Sequence, residues 1–201
     1  MMNGQFWMWL ICILGGFSLG GVMFCQVIPK IFLGVDICAV SDDHNPGATN
    51  VFLNCGPRWG ALCLSLDLLK GVIPVWFAIQ HLPVYHPLFA LVLAAPVLGH
   101  AMAPFLQFHG GKCIATAFGE MMALYPVCRI GLLLAGLYIL FSTAIPIHPN
   151  RIRSIVTFVL FGTISLVLLF TRHQMAIGVG CGLIALIVTL KHTKYFAEAE
   201  E

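Results

Sequence analysis

Charged residues are scarce in this 201-residue chain. Asp, Glu, Lys and Arg make up 9% of it and hydrophobic residues 60%, whereas an ordinary soluble domain is about 25% charged. So few charged side chains cannot cover the surface of a soluble protein of this size. The composition therefore excludes an ordinary soluble domain and predicts an integral membrane protein.

The sequence also lacks the spacings of a metal or disulfide framework. None of its eight cysteines forms a CxxC pair, and most lie in apolar runs, where cysteine behaves as a small hydrophobic residue. No basic region precedes the first apolar run, so we interpret that run as a retained membrane span rather than a signal peptide. We therefore expect neither structural disulfides nor a metal site.

Long apolar runs divide the chain into candidate membrane helices. A bilayer core about 30 Å thick requires about 20 apolar residues per helix. Runs of this kind occupy residues 5–29, 58–80, 85–105, 127–147, 153–171 and 173–191, and a shorter helix is predicted at 112–125. The pattern predicts an all-α polytopic membrane protein with about seven transmembrane helices, folded as one domain over residues 1–201.

The distribution of Lys and Arg predicts the orientation. If the loop after the first span is cytoplasmic, seven of the ten basic side chains lie inside, two lie outside, and Lys70 lies within a span. This bias follows the positive-inside rule. It places the N-terminus outside and the C-terminus in the cytoplasm, and it brings the polar segments around residues 45, 112 and 151 to one face.

Two polar stretches with glycine interrupt the apolar runs, at Asn45–Asn50 (NPGATN) and Gly99–Thr116 (GHAMAPFLQFHGGKCIAT). Irregular backbone at membrane depth must be hydrogen-bonded internally or line a cavity. In the second stretch, Lys112 follows Gly110 and Gly111 at the start of a predicted helix, a pattern that suits an anion such as phosphate. An ordinary glycine turn is the alternative interpretation.

Other polar residues are candidates for chemistry. Asp67 and Lys70 lie inside a span at i, i+3 spacing and can pair, either to order the bundle or to orient polar loop residues. His100 lies near the predicted cytoplasmic end of its span, either as a general base or as a hydrogen-bonded structural residue.

Three segments, taken in order, resemble the PlsY-type glycerol-3-phosphate acyltransferase family. They read LGVDI…NPGATNV, DLLKGVIPV (Asp67–Val75) and LGHAMAPFLQFHGGKCIATAFG, and the likeness covers roughly residues 17–125. The resemblance implies an enzyme of the bacterial inner membrane with a cytoplasmic active site. Such an enzyme transfers an acyl chain from acyl phosphate to the 1-hydroxyl of glycerol 3-phosphate, which gives lysophosphatidic acid for phospholipid biosynthesis.

The resemblance also implies roles for individual residues. The implied catalytic residues are Asn45, His100, Lys112 and Ser154. The implied phosphate-binding residues are Gly110, Gly111, Lys112, Thr49, Asn50, Arg151 and Arg153. No cofactor, metal or nucleic acid is expected; the implied partners are the two substrates, membrane lipid and, as a candidate, a soluble enzyme that makes acyl phosphate.

The chain departs from the family pattern at several positions. Asp42-Asp43-His44 stands where Gly-Ser-Gly is usual, Leu53 and Cys38 replace arginines, Cys113 replaces a glycine, and Arg151 replaces a serine. Lost arginines remove bidentate phosphate donors, and Asp43 adds negative charge near two phosphorylated substrates. Arg151 and Arg153 either compensate or only follow the positive-inside rule. Two alternatives therefore stay open: an enzyme with a less anionic acceptor, and a catalytically impaired paralogue that binds lipid or a partner protein.

Overall fold

The computed structural model describes residues 2–197, with side chains for residues 4–193. Over this range the predicted all-α fold is confirmed, because the regular elements there are all helical. They are α1 (Met2–Gly20), α2 (Phe24–Leu33), α3 (Ile37–Val40), α4 (Ala48–Cys55), α5 (Pro57–His81), α6 (Phe89–Met102), a 3-10 turn at Pro104–Leu106, α7 (Ile114–Leu124), α8 (Gly131–Thr143), α9 (Asn150–Thr171) and α10 (Met175–Ala197).

The predicted continuous first span is wrong, because α1 and α2 meet at a bend of 46°. Helix α1 ends at Gly20, and Met23 has non-helical backbone angles. The carbonyl group of Val22, released from the helix by the break, accepts a 2.8 Å hydrogen bond from Nζ of Lys70 on α5. A buried lysine therefore satisfies the backbone where the first helix bends, which is required at membrane depth.

Among the described residues, four helices are long and apolar enough to cross a membrane, and there are five if the bent pair of α1 and α2 is counted as one span. The described α7 and α8 are shorter apolar helices. Large apolar side chains cover the outer faces of the bundle, among them Trp76, Val167 and Phe170, each more than half exposed. Such faces need a lipid environment, in agreement with the predicted integral membrane protein.

Glycines bring the helices around the site into close contact. On α5, a methyl group at Gly71 would overlap the carbonyl oxygen of Thr116 on α7, and one at Gly119 would overlap that of Leu68 on α5. Because neither position has a side chain, α5 and α7 pack backbone to backbone. The N-terminal end of α7 is thereby held against α5.

Helix boundaries differ from the prediction in two places. The short helix begins at Ile114 rather than at residue 112, because Cys113 has a left-handed backbone (φ 67°) that a helix cannot contain. The loop predicted between the first two spans, residues 30–57, contains the end of α2 and all of α3 and α4. The carboxylate of Asp36 accepts the Ala39 N–H at 3.3 Å and so caps α3, as aspartate commonly does.

Candidate active site

The two polar stretches meet in the folded chain. Nζ of Lys112 donates to Oδ2 of Asp43 at 2.6 Å, across 69 residues of sequence. The loop that contains Asn45 therefore lies directly against the glycine–lysine loop. This contact is the central feature of the site.

Asp43 is held from two sides. Its Oδ1 atom accepts from Nδ2 of Asn50 at 2.8 Å and from the backbone N–H of Asn45 at 3.2 Å. Partial burial raises the pKa of the Asp43 carboxyl, but the hydrogen bonds from Lys112 and Asn50 outweigh burial, so that its pKa lies below the usual value. Asp43 is therefore an ionised, fully bonded carboxylate at neutral pH.

A cavity of about 380 Å³ opens beside this ion pair. Its polar lining consists of Asn45, Thr49, Asp67, His100 and Lys112. Its apolar lining includes Leu64, Leu68, Phe118, Met122 and Tyr138. An apolar cleft with a few convergent polar groups is the usual form of a small-molecule site, and this one suits an amphiphile with an anionic head.

His100 is buried near the end of α6 and is held by its neighbours. Its Nδ1 atom shares a hydrogen bond of 3.1 Å with Oγ1 of Thr116 on α7. On the other side of the ring, Nε2 lies against Gly111, where a methyl group would overlap it. The imidazole is thus fixed between the first turn of α7 and the glycine pair, as a general base must be.

The N-terminal end of α7 faces the same cavity. Cys113, Ile114 and Ala115 line it, and the first backbone N–H groups of a helix have no partner within that helix. Together with the positive end of the helix dipole, they favour an anion. Lys112 lies just before this end and adds a side-chain cation.

The loop backbone is unchanged at two positions where the residue type departs from the family pattern. His44 and Cys113, where the family pattern has glycine, have φ values of 47° and 67°. Glycine adopts this left-handed region at the lowest cost. The backbone therefore has the conformation that the missing glycines would favour, although the side chains have changed.

Asp67 and Lys70 form a buried ion pair on α5, with Nζ and Oδ1 2.9 Å apart. The Cys25 thiol donates to the other carboxylate oxygen of Asp67 at 3.1 Å. Because Lys70 also holds the carbonyl of Val22, the pair connects α5 to the bend between α1 and α2. Asp67 reaches the cavity as well, so that the pair both orders the bundle and borders the site.

The remaining predicted site residues do not line the cavity. Among the described residues, those missing from its lining are Asn50, Gly110, Gly111, Arg151, Arg153 and Ser154. Ser154 is buried on α9 and donates to the carbonyl of Asn150 at 3.0 Å. The guanidinium of Arg153 lies 5.2 Å from the ring centre of Tyr138, which does line the cavity. Arg151 lies in the first turn of α9 and is half-buried.

Sequence reasoning missed Thr116 and Tyr138. Thr116 occurs in the quoted stretch Gly99–Thr116, but an apolar helix gave no reason to single out one hydroxyl. Tyr138 lies in an apolar run of α8 without any polar neighbour in sequence. Only the packing of α7 against α6 and α8 shows that Thr116 bonds to His100 and that Tyr138 lines the cavity.

A larger groove of about 580 Å³ lies between α6 and α10. It is lined mostly by Leu98, Met102, Phe108, Ile187 and Leu190, with Lys191 and Thr193 as its polar residues. Its polar groups do not converge as those around Lys112 do. We therefore take the smaller cavity as the candidate active site.

Known proteins resemble this chain over nearly its whole length. The family model described as glycerol-3-phosphate acyltransferase matches residues 10–199. A glycerol-3-phosphate acyltransferase of Trichlorobacter lovleyi is 32% identical over 192 residues, which cover 96% of this chain and 91% of that protein. The chain also aligns with the crystal structure of PlsY, an integral membrane glycerol 3-phosphate acyltransferase, in its glycerol 3-phosphate form. The TM-score is 0.79 and the sequence identity is 26%, over 95% of this chain and 91% of that one.

Some matches are shorter. The chain spans about half the length of other curated relatives, for example 48% of the enzyme of Desulfovibrio desulfuricans, which is 42% identical over 110 residues or 54% of this chain. The family model and the Trichlorobacter relative nevertheless cover nearly all of the chain. The chain belongs to the glycerol-3-phosphate acyltransferase family.

Proposed function

We propose that this protein transfers an acyl chain from acyl phosphate to the 1-hydroxyl of glycerol 3-phosphate and releases lysophosphatidic acid and inorganic phosphate. The observation that supports this most strongly is the convergence of Lys112, the N-terminal end of α7 and His100 on one apolar cavity. PlsY has been crystallised in a glycerol 3-phosphate form and in a lysophosphatidic acid form, which fits a cleft with an anion-binding end and an apolar end.

The chemistry needs positioning more than activation, since acyl phosphate is already a reactive donor. The acceptor hydroxyl attacks the acyl carbonyl carbon, the bond between that carbon and the phosphate oxygen breaks, and phosphate leaves. Lys112 and the backbone N–H groups at the start of α7 stabilise the leaving phosphate. His100 takes the hydroxyl proton, and Asn45 and Thr49 supply hydrogen bonds at the rim of the cavity.

The apolar walls of the cavity suit the acyl chain. Leu64 and Leu68 on α5 and Phe118 and Met122 on α7 extend it away from Lys112. A donor bound with its phosphate at Lys112 would lay its chain along these residues. A chain that enters from lipid is already in an apolar environment, so that these walls orient the donor rather than drive its binding.

We infer seven crossings of the bacterial inner membrane, with α7 and α8 as short spans. The N-terminus lies outside, the C-terminus and the active site lie on the cytoplasmic side, and the chain forms one domain. The bias of Lys and Arg supports this orientation. In this position the enzyme can receive acyl phosphate from a soluble enzyme in the cytoplasm.

The test supplies purified protein in detergent with labelled glycerol 3-phosphate and either palmitoyl phosphate or palmitoyl-CoA. We expect labelled lysophosphatidic acid with palmitoyl phosphate and not with palmitoyl-CoA. A His100→Asn variant, purified in parallel, should lose most of the product. Absence of product with both donors would refute the proposed function.

A second candidate is transfer to a less anionic acceptor, such as a neutral polyol or an amine. It is favoured by one observation: Asp43 already neutralises Lys112, while Leu53, in place of an arginine, is 77% exposed and carries no charge. The same assay with labelled glycerol and ethanolamine separates the two. A clear preference for glycerol 3-phosphate would exclude the neutral acceptors.

A further inference from the structure

We propose that Asp43 is a specificity-determining residue that competes with a substrate phosphate for Lys112. This inference rests on the proposed function and deepens it, because it states how this chain differs from a site with serine at the same position. The substrate group concerned is a phosphate monoester or an acyl phosphate, both of which present oxyanions to the same lysine.

The geometry separates two sets of contacts on the Asp43 carboxylate. Oδ1 is held by Asn50 and by the N–H of Asn45, whereas Oδ2 faces Lys112. If Lys112 turns towards a substrate phosphate, Asp43 loses one partner and keeps two. The loop therefore remains in place when the ion pair opens, and the exchange costs little beyond the lost ion pair.

Lys112 is able to make this exchange. It lines the cavity, its side chain is 29% exposed, and lysine has a flexible four-carbon stem. Without substrate its charge is balanced by Asp43. A phosphate that enters must therefore displace a carboxylate instead of meeting an uncompensated cation.

The size of the effect follows from Coulomb's law. Two unit charges about 4 Å apart change an equilibrium by about fivefold at the dielectric constant of water and by about a thousandfold at an effective value of 20. The side chain of Asp43 is 42% exposed, which places the effect towards the lower bound. When the carboxylate is removed, we expect the KM of the substrate whose phosphate binds Lys112 to fall by about tenfold.

A general-base role for Asp43 fits the structure less well. Its Oδ1 atom keeps both of its hydrogen bonds, from Asn50 and from the N–H of Asn45, when Lys112 turns towards a phosphate. A carboxylate bonded in this way accepts a further proton poorly at neutral pH. A competitor would change KM when it is removed, whereas a base would change kcat.

The test compares Asp43→Ser and Asp43→Asn with the matched control Asp42→Ser, which removes the same formal charge from the neighbouring, exposed residue. KM and kcat are measured separately for glycerol 3-phosphate and for palmitoyl phosphate. We expect both Asp43 variants to lower the KM of one of the two substrates by about tenfold with little change in kcat, and Asp42→Ser to leave it unchanged. The substrate whose KM falls identifies the phosphate that binds Lys112.

A second measurement does not need turnover. The thermal midpoint of each protein is recorded with increasing concentrations of inorganic phosphate. A ligand that binds the folded protein more tightly raises the midpoint more at a given concentration. The Asp43 variants should show a larger phosphate-dependent shift than wild type and Asp42→Ser. Unchanged or raised KM values in the Asp43 variants would overturn the inference. If the protein has no activity, an unchanged phosphate-dependent shift of the thermal midpoint would overturn it. Lack of product in wild type with both donors would instead refute the proposed function.

Discussion

His100 on α6 and Thr116 on α7 are joined by a hydrogen bond of 3.1 Å between Nδ1 and Oγ1, buried beneath the candidate active site. This bond fixes the plane of the imidazole ring relative to the cavity. It also connects the helix that carries His100 to the helix whose N-terminal end faces the cavity.

Replacement Thr116→Val removes the hydroxyl and keeps the shape of the side chain. We expect kcat to fall by about tenfold, because a general base loses efficiency when its orientation is lost, while KM changes little. Steady-state kinetics of lysophosphatidic acid formation measure both. Thr163→Val, the same change on the exposed side of α9, serves as the control; equal activity of the two variants would contradict a role for Thr116.

Replacement Gly111→Ala places a methyl group on Nε2 of His100. The ring must shift, so we expect activity to fall at least about tenfold, as small displacements of catalytic groups have large effects on rate. Gly15→Ala is the matched control, because no atom lies within 4 Å of the added methyl group. If both variants keep full activity, the placement of His100 against the glycine pair is wrong.

Which polar segments meet at the cavity could be predicted from the sequence better than their contacts could. The glycine–lysine loop, His100 and the Asn45 segment stand out because polar residues are rare in apolar surroundings, and the structure brings all three together. The sequence also predicts that Asp43 repels substrate, with Arg151 and Arg153 either compensating its charge or only following the positive-inside rule. The structure instead pairs it with Lys112, a contact between loops distant in sequence that no local pattern encodes.

The bend in the first span could not be predicted for a related reason. Residues 5–29 satisfy the hydropathy of a single helix, and Gly20 and Gly21 are common in membrane spans. The break is stable because Lys70, about fifty residues later in the sequence, donates a hydrogen bond to the carbonyl oxygen of Val22. The bend therefore depends on a tertiary contact.

We expect a large fall in the free energy of unfolding when one partner of the Asp67–Lys70 pair is removed. Lys70→Met leaves a buried carboxylate and an unsatisfied carbonyl at Val22, and we expect a cost of about 3–5 kcal/mol. Lys30→Met, which opens the exposed pair with Asp36, should cost at most about 1 kcal/mol. Thermal midpoints in detergent compare the two. Equal midpoints would show that the buried pair does not order the bend.

The ion pair between Asp43 and Lys112 predicts a pH dependence of stability. Because the pKa of Asp43 is lowered in the folded protein, its stabilising effect is complete above the unfolded value of about 3.9 and is lost as pH falls through the lower folded value. The difference in thermal midpoint between wild type and Asp43→Asn should be constant from about pH 5 to 8 and should shrink below about pH 4. A difference that instead changes between pH 6 and 8 would point to another titrating group.

The most direct test of the account is the activity of Lys112→Met compared with Lys30→Met, each assayed with palmitoyl phosphate and glycerol 3-phosphate. Both variants remove one lysine that is paired with an aspartate, but only Lys112 lines the cavity. We predict that kcat/KM falls by about a hundredfold or more in Lys112→Met, the usual effect of removing a group that stabilises charge in the transition state, and stays near wild type in Lys30→Met. Full activity of a folded Lys112→Met protein would contradict the assignment of this cavity as the active site.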